Sequence, residues 1–142
     1  MMRRWSALCV FAVIACADGA PVPLIEIREA WARPADSAAT TAAYFVIANH
    51  DTTTISLTAQ SSPWAESVAL HETMLMGDMV HMTPVSAPMA IAPGDSLVLK
   101  EGAKHLMVSA LARPLVAGDS LPVVLTFGDG RTVRVSVLVR SP

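Results

Sequence analysis

Two imidazoles and two thioethers stand in an order that fits one chemistry: His71, Met82 and the triplet His105-Leu106-Met107. Thioether sulfur binds Zn²⁺ or Mg²⁺ poorly and suits Cu(I), so a His/Met set points to copper rather than to metals in general. A sheet that gathered these side chains could hold one such ion. Cysteine usage narrows the options. Of the two cysteines, Cys9 lies in an apolar leader and Cys16 at its boundary, which leaves the folded domain without a thiol. A blue-copper electron carrier, a structural zinc site built on Cys, a disulfide framework and a thiol nucleophile are thereby excluded.

The elements that must position this set read as short strands. Residues 24–31, 42–48, 53–58, 67–74, 79–85, 96–99, 105–111, 121–127 and 132–139 are rich in Val, Ile, Leu and Thr. Turn signals separate them: Asn49-His50-Asp51, Met76-Gly77-Asp78, Pro93-Gly94-Asp95, Ala117-Gly118-Asp119 and Gly128-Asp129-Gly130, the last of these marking the firmest hairpin. No segment carries a sustained helical period with caps at both ends. The reading is an all-β, antiparallel sandwich or barrel in a single domain.

Alternation assigns faces. Leu106, Val108 and Ala110 share one side and claim the core, leaving His105, Met107 and Ser109 on the other. Val68 and Leu70 likewise place His71 opposite the core, on the same outer side as the triplet. For Met82, simple alternation with Val80 predicts an inward side chain and an exposed His81, so His81 stays open as an alternative ligand, with a twist or bulge near Pro84 able to re-aim either one.

Met1-Met2-Arg3-Arg4 followed by an apolar run too short to span a bilayer reads as an export signal over residues 1–15. Val13-Ile14-Ala15-Cys16 fits a lipobox, with Cys16 lipidated; Ala15-Cys16-Ala17 is also a site for ordinary signal peptidase, which would give a soluble secreted protein. Residues 16–23 form a flexible tether and residues 24–142 the domain. Removing Arg3 and Arg4 from the ten Lys and Arg leaves eight against twelve Asp and Glu. A mildly acidic domain with scattered cations argues against nucleic acid as a partner. Contact with a membrane is expected only through the lipid.

The spacing His71, ten residues, Met82, twenty-two residues, His105, one residue, Met107 resembles the H(M)x10Mx21HxM signature of the periplasmic copper chaperones called PCu(A)C. Six further segments resemble that family in the same order: Glu29-Ala30-Trp31-Ala32-Arg33, Ala42-Ala43-Tyr44-Phe45, Val68-Ala69-Leu70-His71-Glu72, Met82-Thr83-Pro84-Val85, Arg113-Pro114-Leu115 and Leu125-Thr126-Phe127. The second gap is one residue longer than the motif, in loops that tolerate insertion. His81 replaces a more usual basic residue, and the His- and Met-rich C-terminal tail of some members is missing.

The resemblance implies a cupredoxin-like Greek-key sandwich that binds one Cu(I) per domain through His71, Met82, His105 and Met107. It also implies a bacterial periplasmic protein without enzymatic activity. Copper would pass by ligand exchange at an exposed site toward the CuA centre of cytochrome c oxidase subunit II, alongside a Sco-type thiol protein.

Other side chains have blander roles. Trp31, Tyr44, Phe45 and Trp64 read as core or edge packing, and His50 as a surface residue. Met74, Met76, Met79 and Met89 read as packing or a hydrophobic hairpin, with a weak accessory copper platform as the alternative. Glu72 reads either as an acceptor orienting His71 or as a solvated charge. Two other function classes stay in view: a lipid-anchored β-sandwich that only binds another protein, and a metal-dependent hydrolase.

Overall fold

Branched and aliphatic residues alternating with small or polar ones commit most of the chain to strands, because one face of each strand can then be buried while the other stays wet. The computed structural model describes residues 21–142. The leader, Cys16 and all but the end of the tether lie outside the described residues. The strands are β1 (Ile25–Ala32), β2 (Thr41–Asn49), β3 (Ile55–Ser61), β4 (Ala65–Met76), β5 (Met79–Pro84), β6 (Met89–Ile91), β7 (Ser96–Leu99), β8 (Lys104–Leu111), β9 (Ser120–Phe127) and β10 (Thr132–Val139). Nine coincide with strands read from the sequence. The short β6 was not expected, since three residues beside Pro88 carry too little pattern to register.

Hydrogen-bonded neighbours run β5-β4-β8-β2-β1-β10-β9-β3-β6, with β7 pairing on β2. All pairs are antiparallel except β1 with β10, where Trp31 faces Leu138 and Ala32 faces Val139 in parallel. The sheet is therefore mixed rather than purely antiparallel: the first strand and the last, which no hairpin joins, lie side by side in the same direction.

Both halves of the path feed one core. Phe45, Ile47, Val68, Leu70, Leu106 and Val108 come from β2, β4 and β8; Leu57, Leu121, Val123, Leu125, Phe127, Val135 and Val137 come from β3, β9 and β10. Each large side chain so buried contributes roughly 1.5–3 kcal/mol of transfer free energy. Leu111, not Ala110, completes the row on β8, because Ala110 adopts a positive φ of 54° that turns the strand's end. Phe45 belongs to the core, and Trp64 packs against it; Trp31 lies at the edge beneath the Arg140 guanidinium, 4.4 Å away.

Polar groups in the interior are satisfied. Asn49 ends β2 and is buried; its amide donates to the carbonyls of Thr53 and Ile91, each at 2.9 Å, and so ties β6 to the end of β2. Among the described residues no buried side-chain nitrogen or oxygen lacks a partner, and no helix is long and apolar enough to cross a membrane.

Candidate metal centre

Three strands at one end of the sheet place the His/Met set. Residues directly opposite in antiparallel strands share a face. His71 on β4 faces His105 on β8, and Ala69 faces Met107. Across the next seam Thr73 faces Met82 on β5. His71, Met82, His105 and Met107 therefore occupy one face, while Leu70, Leu106 and Val108 turn to the core behind it. The small Ala42 of β2 lies opposite Met107 and leaves its thioether room.

An open cleft of ≈ 440 Å³ lies over this face, and Met82, His105 and Met107 all line it, together with Thr73, Tyr44 and Arg33. His81 does not. It faces Met74 on the other side of the β4–β5 hairpin, so the geometry sets Met82, not His81, beside the triplet. The expected inward Met82 requires revision, whereas His81 is exposed as expected. No core lies behind β5, whose six residues are all exposed, and facing inward means facing the cleft.

His105 departs from the expected outer position, being only 3% exposed. The covering comes from distant residues. The Tyr44 ring lies 6.4 Å from the His105 ring, centroid to centroid, and the tight turn joining β7 to β8 closes with Lys100 N–H donating to the Lys104 carbonyl at 2.8 Å. That turn carries Glu101, which accepts a hydrogen bond from the Arg33 guanidinium at the rim of the cleft. The bond holds Arg33 protonated above its ordinary range. Tyr44 is buried as the packing reading expected, yet it also walls the site. Arg33 and Glu101 were missed, since their partnership spans 68 residues and leaves no local signal.

The imidazoles are oriented alike. Nδ1 of His105 lies 3.0 Å from the Ala103 carbonyl, and Nδ1 of His71 lies 3.5 Å from the Ala69 carbonyl. A carbonyl can only accept, so the 3.0 Å contact of His105 favours the tautomer with the proton on Nδ1 and the metal-binding lone pair on Nε2; the longer contact of His71 only aims its ring the same way. The two rings stand 6.3 Å apart at an interplanar angle of 25°. Glu72 does not orient His71. It points to the opposite face and accepts from Lys104 Nζ at 2.9 Å, while His50 pairs with Glu26 at 2.8 Å, remote from the cleft.

His and Met side chains on the open end of a mixed Greek-key sheet describe the class: an all-β, cupredoxin-like domain with the fold of PCuAC domains. The chain belongs to the LpqE-like family, described as "Putative lipoprotein LpqE-like", which it matches over residues 25–139. It is 33% identical over 116 residues to "Putative lipoprotein Lxx21020" of Leifsonia xyli subsp. xyli (strain CTCB07), covering 82% of this chain and 69% of that one. Among solved structures, the Cu(I) form of DR1885 from Deinococcus radiodurans is similar at 30% identity and a TM-score of 0.59, over 89% of this chain and 83% of that one. The copper-bound PCuAC domain of PmoF2 shares the fold at 18% identity and a TM-score of 0.69, over 87% and 97% of the two chains.

Proposed function

We propose that this protein is a Cu(I)-binding metallochaperone, not an enzyme, that holds one copper ion through His71, Met82, His105 and Met107. The observation that carries the reading is the strand register, which sets all four donors on one face. Neutral imidazoles and thioethers favour a monovalent soft ion and resist oxidation better than thiols do in an oxidising compartment. The likeness to the Cu(I) form of DR1885 supports the same cargo. A hydrolytic site would want three ligands among His, Cys, Asp and Glu with an open water position; no such group of three exists among the described residues.

Delivery would proceed by ligand exchange from the exposed rim inward. Met82 is 58% exposed on an edge strand, whereas His105 is 3% exposed. An incoming donor would displace Met82 first while the buried imidazole retains the ion. The acceptor would be the CuA centre of cytochrome c oxidase subunit II, with a Sco-type thiol protein acting alongside. Lipid attached at Cys16 would tether the domain above a membrane in the bacterial periplasm, in keeping with the lipoprotein descriptions of its family and relative.

The test is an anaerobic Cu(I) titration against a competing chelator, with X-ray absorption to count donors. Two sulfurs and two nitrogens are expected, and His105→Ala with Met107→Ala should lower the affinity by about 100-fold or more, beyond the ~10–100-fold typical of outer-shell changes. Unchanged affinity in the double variant would sink the assignment. Transfer is tested separately, by the appearance of CuA absorption when the copper-loaded chain meets the apo oxidase domain.

A further inference from the structure

The β4–β5 hairpin extends past the core and carries soft donors on both faces. Its two-residue turn, Gly77-Asp78, sets Met76 directly opposite Met79, and Met74 directly opposite His81. Alternation then gives two faces. Thr73, Leu75, Val80 and Met82 lie on the cleft side, and Met74, Met76, Met79 and His81 lie together on the reverse. The packing role read from the sequence does not apply to these three methionines, which are 50%, 63% and 63% exposed in chain order. Met89 alone of that group packs against the core.

We infer that the reverse face of this hairpin is a second Cu(I) site, built from the thioethers of Met74, Met76 and Met79 and the imidazole of His81. Directly opposed Cβ atoms lie about 4.5–5.5 Å apart and diagonal ones about 7–8 Å apart, so three flexible thioethers and an imidazole can converge on one ion between the two rows. The donors are neutral. Glu72, the next residue on that face, is engaged by Lys104, and Asp78 sits in the turn itself rather than in the paired rows, so thioethers outnumber carboxylates and favour a soft monovalent ion. Solvent exposure makes the site weaker and faster than the half-buried cleft. Its position suits it to loading, because His81 and Met82 are consecutive and an ion held on the reverse face is one residue from a ligand of the cleft. The inference about loading rests on the cleft being a copper site; the existence of the second site does not.

The experiment is a titration of the full chain with Ag(I), a closed-shell stand-in for Cu(I), followed by NMR of methionine ¹³Cε-methyl groups. The first equivalent should move the Met82 and Met107 methyls, and the second those of Met74, Met76 and Met79 with the His81 ring. In a Met74→Leu, Met76→Leu, Met79→Leu variant, which alters only exposed side chains of similar volume, binding should fall from about two equivalents to about one with the first step intact. In a His105→Ala, Met107→Leu variant the hairpin step should persist, so failure of the cleft and failure of the hairpin are told apart. Saturation with the three hairpin methyls unmoved would overturn the second site, as would an unchanged stoichiometry in the triple variant; the exposed hairpin would then be a protein-docking surface.

Discussion

At the scale of the residue, burial would decide which of the proposed ligands anchors copper and which lets go. His105 is enclosed by Tyr44 and the turn before β8, with its Nδ1 proton committed to Ala103. Met82 stands on the open edge. Met82→Leu should therefore weaken Cu(I) by about tenfold or more and speed its release to a chelator, while His81→Ala leaves the first, tight equivalent in place. Stopped-flow transfer to a chromophoric chelator would separate the two; equal effects would mean that both side chains reach the same ion. The candidate donors were legible from residue type alone. The choice between His81 and Met82 was not, because alternation names two faces without saying what either one meets.

At the scale of the element, the hairpins were the most readable parts, since each turn declares itself within four residues. Gly130 takes a φ of +87° in the β9–β10 turn, and a Cβ there would meet nothing within 4 Å. Gly130→Ala should cost about 1–2 kcal/mol through the backbone alone. Denaturant unfolding would show this as a lower midpoint with an unchanged slope, and copper binding should be unaffected, the turn being remote from β4, β5 and β8. A three-residue strand such as β6 was not legible. Its pairing with β3 and the hold of Asn49 on Ile91, not local pattern, create it.

At the scale of the whole molecule, the core sets the face on which the proposed ligands sit. Leu106 is fully buried between His105 and Met107 in sequence. Leu106→Ala should destabilise the fold by about 2–5 kcal/mol and loosen the site with it, visible as a parallel drop in melting temperature and Cu(I) affinity. Surface charge acts more gently. Arg131 joins Asp129 of its own turn, at 2.6 Å, to Asp51 after β2, at 3.0 Å. Asp51 is held below 3.8 chiefly by the Thr52 backbone N–H, and Asp129 chiefly by that of Arg131, with the guanidinium adding to both. A carboxyl depressed on folding contributes stability that is complete above its unfolded value and lost as pH falls through the folded one. The small share of stability these two carboxylates supply should thus be lost below about pH 4, and Asp51→Asn with Asp129→Asn should flatten that part of the acid limb; an equally steep limb in the double variant would place the sensitive carboxylates elsewhere.

Sequence alone determined what depends on residue type and near neighbours: a thiol-free soft donor set, the strands and their alternation, and the turns that break them. Tertiary structure decided what depends on pairing between distant segments. It set His71 opposite His105, joined β1 to β10 in parallel, drew Tyr44 beside a histidine expected in the open, set the Arg33–Glu101 pair at the rim of the cleft, and left the reverse face of the methionine hairpin bare. The physical reason is that alternation is a property of one strand. Register and covering belong to the whole sheet, and they are chosen by the packing of a core to which no single segment contributes enough to show its hand.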